Sequence, residues 1–152
     1  MNPDFLPLSD KHNSAVVLGA TAVGKTSYAV GLAKELGGEV ISVDSRQVYK
    51  GLDLGTGKDL NEYGDVPYHL IDICTLEREY NVFDFQNDAY KAFEDIKRRK
   101  KFPIFAGGTG LYLDALIREY ELIPVPKNEE LRDSLADKDL AELQKVFSEY
   151  RT

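Results

Sequence analysis

The stretch Ala15–Thr26, AVVLGATAVGKT, joins a short apolar run to a loop bounded by glycines. Ala15–Leu18 is continuous, apolar and flanked by polar and glycine residues, which predicts a buried strand. Gly19–Thr26 matches the pattern G-x-x-x-x-G-K-[ST] at every specified position. Because the loop follows a strand and opens an apolar repeat of helical spacing, it stands in the context in which this pattern binds phosphate.

Each part of this loop supplies a group that stabilises phosphate oxygens. Its glycines allow backbone N–H groups to turn inward, and the helix that follows adds the positive end of its dipole. Lys25 adds a charge, and the Thr26 hydroxyl can hold Mg²⁺. The residues alone leave open whether the phosphates belong to a nucleotide or to another diphosphate. The predicted phosphate-binding residues are Gly19, Ala20, Thr21, Ala22, Val23, Gly24, Lys25 and Thr26.

Apolar periodicity predicts alternating strands and helices along the chain. The predicted strands are Ala15–Leu18, Val40–Val43, His69–Ile73 and Ile104–Ala106. Three helices are predicted. The first follows the 19–26 loop and ends at Gly37 and Gly38, the second covers residues 82–100, and the third begins at Leu111. Strands that alternate with helices predict an α/β fold, a P-loop NTPase-like parallel sheet with helices on both faces.

Three features follow the carboxyl ends of predicted strands, where parallel sheets bind their ligands. They are the 19–26 loop, Asp44 and the glycine turn 107–110, and we expect them to meet in one crevice. Asp44 either acts at the phosphate site, as a general base or through water on Mg²⁺, or caps the next turn. The turn either presents Thr109 to a ligand or is only a tight connection. The spacing leaves both alternatives open. Residues 51–58 predict a flexible, glycine-punctuated loop.

Composition restricts the class of protein. A chain of 152 residues with 43% apolar residues is long enough for one domain with its own core. Cys74 is the only cysteine, so no internal disulfide forms, and it lacks partners at metal-ligand spacing. The net charge of −7 argues against extensive contact with nucleic acid. We interpret the basic run Lys97–Lys101 as a solvated helix end, and His69 as a packed core residue.

The two ends of the chain differ from its middle. The first residues have no basic and apolar pattern of a secretory signal, and no apolar run has membrane length, so we expect a cytoplasmic protein without a membrane partner. We expect a loose lead-in over 1–14, a P-loop core over 15–126, and two short acidic helices over 127–152. The apolar positions of these last helices are Leu131, Leu135, Leu140, Leu143 and Phe147.

Five segments of this chain resemble one family of P-loop enzymes, the tRNA dimethylallyltransferases (tRNA isopentenyltransferases), and the related adenylate isopentenyltransferases. They are GATAVGKT (19–26), EVISVDSRQVYKGLDLGTGKD (39–59), VPYHLIDI (66–73), FDFQNDA (83–89) and GGTGLYLDAL (107–116). The segments run in the family's order over roughly residues 15–125. The second and the fifth are specific, because ordinary P-loop kinases lack them.

The resemblance implies transfer of a dimethylallyl group from dimethylallyl diphosphate to N6 of adenine 37 in the tRNA anticodon loop. It implies that Lys25 neutralises the leaving diphosphate, that Thr26 helps to hold Mg²⁺, and that Asp44 accepts the N6 proton. Lys25, Asp44 and Thr109 are the implied catalytic residues. The implied tRNA contacts are Asp44, Ser45, Arg46, Gln47 and Thr109. We expect the protein to act as a monomer.

The sequence departs from the family pattern at two places. Arg46 stands where methionine is common, and GTGKD (55–59) stands where GTAKP is common, so nucleotide contacts can differ while the phosphate loop is kept. Family members are longer, and we expect this chain to end inside their helical tRNA-gripping insertion, which begins near Asn128. Two other functions stay open: a small P-loop kinase that uses ATP, and a diphosphate- or nucleotide-binding module that is catalytically incomplete.

Overall fold

The computed structural model describes residues 13–118, 120, 122–123 and 125–150, which divide into two compact units, Met1–Leu122 and Ile123–Thr152. The predicted lead-in lies outside the described residues except for Asn13 and Ser14. The strands of the first unit are β1 (Ala15–Leu18), β2 (Gly38–Val43), β3 (Tyr68–His69) and β4 (Phe102–Gly107). Its helices are α1 (Lys25–Leu36), α2 (Leu60–Tyr63), α3 (Val82–Arg98) and α4 (Gly110–Ile117). The second unit contains α5 (Glu129–Leu135) and α6 (Leu140–Tyr150).

The four strands form one parallel sheet in the order β1-β4-β2-β3. The last strand in sequence therefore lies between the first two, and Gly107 pairs with both Leu18 and Val43. This arrangement brings the ends of β1, β2 and β4 to the same edge of the sheet. The predicted parallel α/β sheet is confirmed.

Apolar side chains cover both faces of the sheet because successive residues of a strand point to opposite sides. Ile41 and Val43 belong to a core cluster that includes Phe85 of α3 and Tyr112 of α4. Val40, which directly precedes Ile41, belongs to a second cluster with the apolar side chains of α1. The predicted placement of helices on both faces is confirmed.

Each predicted element differs from the structure mainly at its ends. The α1 helix ends at Gly37, which adopts the left-handed conformation with φ of 60°, whereas Gly38 is already the first residue of β2. The helix predicted over 82–100 ends at Arg98. Its start is well defined because the Asn81 side chain accepts from the N–H groups of Phe83 and Asp84 in a capping box. Sequence patterns locate a helix better than its ends.

The predicted strand His69–Ile73 is wrong beyond its first residue. The observed strand is only Tyr68–His69, because Leu70 and Asp72 have φ values of 63° and 54°, which no strand accommodates. The segment after His69 instead bonds to the chain following β2, where the N–H of Ile73 donates to the Val48 carbonyl at 2.9 Å. The apolar run therefore predicted burial correctly, since Leu70 and Ile71 are buried. It predicted secondary structure incorrectly, because these residues lie in a loop after the strand.

Two further expectations change with tertiary structure. His69 is a partly exposed residue whose Nε2 lies 2.7 Å from Glu39 Oε2, rather than a packed core histidine. The basic run at the end of α3 is solvated as predicted, but Arg99 within it forms an ion pair with the buried Glu39 and with Asp95. Arg99 therefore fastens α3 to the start of β2.

The second unit forms the two short helices that the sequence predicts. Asn128 caps α5 by accepting from the Leu131 N–H at 2.9 Å. Asp139 and Glu142 exchange hydrogen bonds at the start of α6. Neither helix has a buried residue. Within the described part of the whole chain, no helix combines the length and the apolar character needed to cross a membrane.

Candidate active site

A cleft of about 480 Å³ opens where β1, β2 and β4 end. It is bordered by the phosphate-loop pattern, by the turn Asp44–Gln47 that follows β2, and by the residues Gly107–Thr109 at the end of β4. These are the three features that the sequence led us to expect in one crevice. From the phosphate-loop pattern the lining residues are Thr21, Ala22, Gly24, Lys25 and Thr26, while Gly19, Ala20 and Val23 are not among them.

The loop before α1 has the backbone of an anion cradle. Ala22 and Gly24 have φ values of 62° and 84°, and left-handed residues of this kind turn successive N–H groups toward one side. The α1 helix begins at Lys25 without a side-chain cap, so the N–H groups of its first turn are open to a ligand. Lys25 Nζ donates to the Ala20 carbonyl at 2.6 Å. The Lys25 ammonium group therefore lies against this loop, where it could contact a bound phosphate.

The glycine turn after β4 packs against this loop. A Cβ built at Gly108 would lie 3.6 Å from the Gly19 carbonyl oxygen and 3.9 Å from Lys25 Nζ. At Gly107 a Cβ would overlap the carbonyl oxygen of Val43. The Gly108 distances are ordinary van der Waals contacts, whereas the backbone at Gly107 approaches β2 more closely than a larger residue permits.

Asp44 holds the turn that follows β2. Its Oδ1 accepts from the N–H of Arg46 at 2.8 Å and from that of Gln47 at 3.4 Å. The turn-capping alternative is thus observed, and it does not exclude a role at the site. The other carboxylate oxygen, Oδ2, accepts no hydrogen bond from any described residue, and Asp44 lines the cleft. One oxygen orients the side chain while the second faces no protein donor.

Thr109 links this turn to the end of β4. Its Oγ1 accepts from the Ser45 N–H at 3.1 Å, and its own N–H donates to the Val43 carbonyl at 3.2 Å. Thr109 is the N-cap residue of α4, yet its side chain makes no bond to that helix. The hydroxyl hydrogen of Thr109 is therefore available to a ligand in the cleft.

The side chain of Gln47 is used mostly within the protein. Its Oε1 accepts from Ser42 Oγ at 2.8 Å, and its Nε2 donates to the carbonyls of Thr56 and Gly57 at 3.2 and 3.0 Å. Gln47 thus joins β2 to the loop 51–58. Gly55, Thr56 and Gly57 of this loop line the cleft. The loop that glycine content predicts to be flexible is held by specific hydrogen bonds.

The far wall of the cleft carries residues that sequence reasoning missed. Asp59, Glu62 and Tyr63, from the start and body of α2, line it. Burial, with a smaller contribution from the charge of Glu62, raises the pKa of Tyr63 to about 12, so the phenol is neutral. A helix of four residues has no apolar periodicity that a sequence pattern could reveal.

The cleft offers few protein ligands for a metal ion. Among the described residues, no group of three or more His, Cys, Asp and Glu side chains is placed to hold one. Thr26 and Asp44 both line the cleft and carry oxygen atoms, the ligand type that Mg²⁺ prefers. A metal here would need further oxygens from its ligand and from water, which is how Mg²⁺ is commonly held beside phosphates.

Comparison with family models decides the class of protein. The model described as IPP transferase matches residues 47–151, and the model described as isopentenyl transferase matches residues 12–65. The chain belongs to the IPP transferase family. The resemblance stated from its sequence motifs is thereby confirmed.

Relatives and solved structures of IPP transferases agree with this assignment. The chain is 90% identical to tRNA dimethylallyltransferase 2 of Treponema denticola over 99% of its own length and 50% of that protein. It resembles the crystal structure of a tRNA isopentenylpyrophosphate transferase from Bacillus halodurans with 39% identity and a TM-score of 0.71, over 91% of this chain and 48% of that one.

A further structural match is a eukaryotic dimethylallyltransferase, described as acting on tRNA, with 34% identity and a TM-score of 0.71. It covers 83% of this chain and 32% of that one. This IPP transferase chain therefore spans about half the length, or less, of the relatives that it matches. The predicted P-loop NTPase-like fold is confirmed by these structural neighbours.

Proposed function

We propose that this chain supplies the diphosphate site and the base of an enzyme that transfers a dimethylallyl group to N6 of adenine 37 in tRNA. The donor is dimethylallyl diphosphate. The observation that carries the proposal is the shared cleft, which places the phosphate loop, Asp44 and Thr109 around one space of about 480 Å³. For such a transfer, the groups that bind the leaving diphosphate, the base and a hydrogen-bond donor must lie around one reacting centre.

The phosphate loop would bind the leaving diphosphate. Its backbone N–H groups and the open first turn of α1 would surround the phosphate oxygens, with Lys25 neutralising their charge. When the carbon–oxygen bond of the donor breaks, the diphosphate keeps the electron pair. Donors already oriented toward that developing charge lower the barrier without reorganising.

Asp44 would accept the proton from N6 as the nitrogen forms its bond to the allylic carbon. An exocyclic amine is a weak nucleophile, so removal of its proton as the bond forms assists the reaction. The backbone N–H groups of Arg46 and Gln47 hold one carboxylate oxygen, which leaves the second free to meet N6. The target adenine must leave its stack to reach this position, as an unpaired base in a loop can do.

Contacts with tRNA would come from the turn after β2 and from Thr109. Arg46 is exposed at the rim, where its side chain can reach a phosphate. Ser45 and Thr109 are joined by a hydrogen bond and would act together beside the base. Gln47 would contribute chiefly by positioning the turn, because both its amide donors are already used.

Mg²⁺ is the cofactor that fits this cleft. The Thr26 hydroxyl would hold it together with diphosphate oxygens and water. When bound, the metal supplies positive charge that stabilises the leaving diphosphate. A tRNA acceptor would be met in the cytoplasm, which we propose as the location.

A catalytically incomplete binding module is the second candidate. It is favoured by one observation, the net charge of −7, because tRNA binding needs cationic surface. This candidate predicts diphosphate binding without transfer.

One experiment separates these possibilities. The chain is incubated with radiolabelled dimethylallyl diphosphate and Mg²⁺, together with an anticodon stem-loop, with adenosine monophosphate, or with a stem-loop carrying guanine at position 37. Label on the adenine stem-loop alone supports the proposed transfer. Label on adenosine monophosphate would reject tRNA as the required acceptor. Binding of the donor without label transfer would support the incomplete module, and greater thermal stabilisation by ATP would support a kinase.

A further inference from the structure

Lys58 is a buried cation that the proposed chemistry does not use. Its side chain is 0% exposed, although it ends the surface loop 51–58. Nζ donates to the Tyr49 carbonyl at 2.5 Å, to Asp72 Oδ1 at 2.5 Å and to Asp53 Oδ1 at 3.3 Å. An ammonium group has three N–H donors, so each one has an acceptor here.

The electrostatics keep this group charged. Burial works against the ammonium, but the hydrogen bonds to Asp72 and Asp53 outweigh it and hold the pKa of Lys58 above its ordinary value. A buried cation needs its acceptors in place, because its own N–H groups have no water to bond to, whereas its carboxylate partners Asp72 and Asp53 are partly and largely exposed. Lys58 therefore marks a junction at which geometry is strictly defined.

The junction joins three segments next to the cleft. Tyr49 lies two residues after Gln47, Asp53 lies within the loop 51–58, and Asp72 follows β3. Asp72 also donates its N–H to the Gln47 carbonyl at 3.0 Å. The cation thus connects the chain that follows Gln47, and the Asp72 segment that is bonded to the Gln47 carbonyl, to the loop.

Gln47 carries this connection to the site. Its Nε2 bonds to the carbonyls of Thr56 and Gly57, which line the cleft, and its N–H bonds to Asp44. A shift of the loop would therefore move the wall of the cleft and the turn that orients Asp44. No contact of Lys58 reaches the phosphate loop among the bonds of the described residues.

We propose that Lys58 is a positioning residue for the acceptor side of the cleft. Its ammonium holds the wall 55–57 and, through Gln47, the turn that carries Asp44, while the diphosphate side is independent of it. The expected effect of Lys58 on transfer rests on the proposed function. Its expected effect on the structure of the cleft rests on the hydrogen bonds alone. A planar guanidinium would not replace it, because the three acceptors belong to three separate segments.

The test compares Lys58→Met with Lys50→Met, which removes an exposed lysine from the same region. Calorimetry measures affinity for dimethylallyl diphosphate, hydrogen exchange measures protection of the Asp72 and Ile73 amides, and single-turnover assays measure transfer to the stem-loop. For Lys58→Met we expect donor affinity within about twofold of the parent. We expect amide exchange at least about tenfold faster at those sites. We expect transfer slower by about 10- to 100-fold. Lys50→Met should change none of the three.

The outcomes separate this inference from the proposed function. If the parent chain transfers no label, the proposed function fails, while the exchange and affinity measurements still decide the role of Lys58. The proposed role of Lys58 would be overturned if Lys58→Met lost donor affinity and transfer equally, or if amide exchange at Asp72 and Ile73 stayed unchanged. If Lys58→Met does not fold, Asp53→Ala decides: it removes the acceptor of the longest of the three bonds and should give the same pattern at smaller size. An equal loss of donor affinity and of transfer in that variant would also overturn the proposal.

Discussion

The hydroxyl oxygen of Thr109 accepts a hydrogen bond from the Ser45 N–H at 3.1 Å across a separation of 64 residues. This bond ties the turn after β2 to the start of α4. It places the carboxylate of Asp44 and the hydroxyl of Thr109 in one rigid corner of the cleft, because each residue is also bonded to backbone nearby. The two specific sequence motifs of the chain therefore meet through this bond and through the bond from the Thr109 N–H to the Val43 carbonyl.

Thr109→Val should disturb this corner while sparing the phosphate loop. The isosteric change removes the acceptor of the Ser45 N–H, and we expect a loss of about 1 kcal/mol in the free energy of unfolding. Transfer to the stem-loop should fall, with affinity for dimethylallyl diphosphate unchanged in calorimetry. Thr109→Ser keeps the hydroxyl and should restore transfer. Equal activity of the valine and serine variants would contradict the role given to this hydroxyl.

Lys25→Ala should abolish diphosphate binding with little effect on stability. Lys25 makes one hydrogen bond, to an exposed carbonyl, so its loss costs the fold little, whereas the bound diphosphate loses its main charge partner. Calorimetry with dimethylallyl diphosphate measures the affinity, and thermal denaturation measures the stability. Lys34→Ala, an exposed lysine at the other end of α1, is the control and should bind normally. Equal affinities for Lys25→Ala and the parent would reject the phosphate-loop assignment.

Asp44→Asn should separate binding from transfer. The amide oxygen of asparagine still accepts from the Arg46 N–H, so the turn persists, but a neutral amide cannot take the proton from N6. We expect normal donor affinity and no transfer to an anticodon stem-loop. Asp65→Asn, at an exposed position outside the cleft, controls for the change in net charge. Substantial turnover by Asp44→Asn would show that another group serves as the base.

Glu39 should make the fold sensitive to acid. The Arg99 hydrogen bond, opposed by burial and assisted by His69, lowers the pKa of Glu39 below its ordinary 4.5. The ionised carboxylate therefore stabilises the fold at pH above that value, and this contribution is lost as pH falls below it toward the lowered pKa.

Glu39→Gln should lower the free energy of unfolding at neutral pH by about 2 kcal/mol. It should also flatten the fall in melting temperature between about pH 5 and pH 3. Denaturation curves over this range give both quantities. Glu94→Gln, on the exposed surface of α3, should keep the parent's pH dependence. An acid profile shared by all three proteins would place the sensitivity elsewhere.

Gly107→Ala should destabilise the sheet at the cleft. The added Cβ would overlap the Val43 carbonyl oxygen, so the backbone of β4 must shift. Such overpacking costs about 1–3 kcal/mol, measurable by chemical denaturation. Gly110→Ala is the matched control: its Cβ would meet nothing within 4 Å, at the first residue of α4. A destabilisation of equal size in both variants would argue against the close approach at Gly107.

Local patterns predicted the parts of this protein whose causes lie close together in the sequence. Ala15–Leu18 was predicted with its observed bounds because polar residues and the phosphate loop limit it on both sides. The prediction that this strand is buried is wrong, because β1 is an edge strand of the described sheet and Val16 and Leu18 are exposed. The α3 helix was found because Phe85, Ala89 and Ile96 repeat at helical spacing and are buried on one stripe. The meeting of the phosphate loop, Asp44 and the turn 107–110 was also predictable, because the ends of parallel strands share one edge of a sheet.

Other features depend on partners that are distant in sequence. The segment after His69 has the composition of a strand, yet its N–H groups bond to the chain beyond β2 and its backbone turns back at Leu70 and Asp72. Lys58 belongs to a glycine-rich loop, where a lysine is ordinarily solvated, yet its side chain is buried and bonded to Asp72 and to the Tyr49 carbonyl. No local pattern records either approach.

The sequence by itself therefore determined the fold class, the phosphate loop and the family, because these are carried by periodicity and by contiguous motifs. Only the tertiary structure decided which side chains of the cleft are hydrogen-bonded within the protein. One oxygen of Asp44 is occupied, Gln47 is bonded internally, and Thr109 is joined to Ser45. The physical reason is that hydrogen bonds between segments depend on how the strands are ordered in space, and β4 lies between β1 and β2 only after the chain has folded.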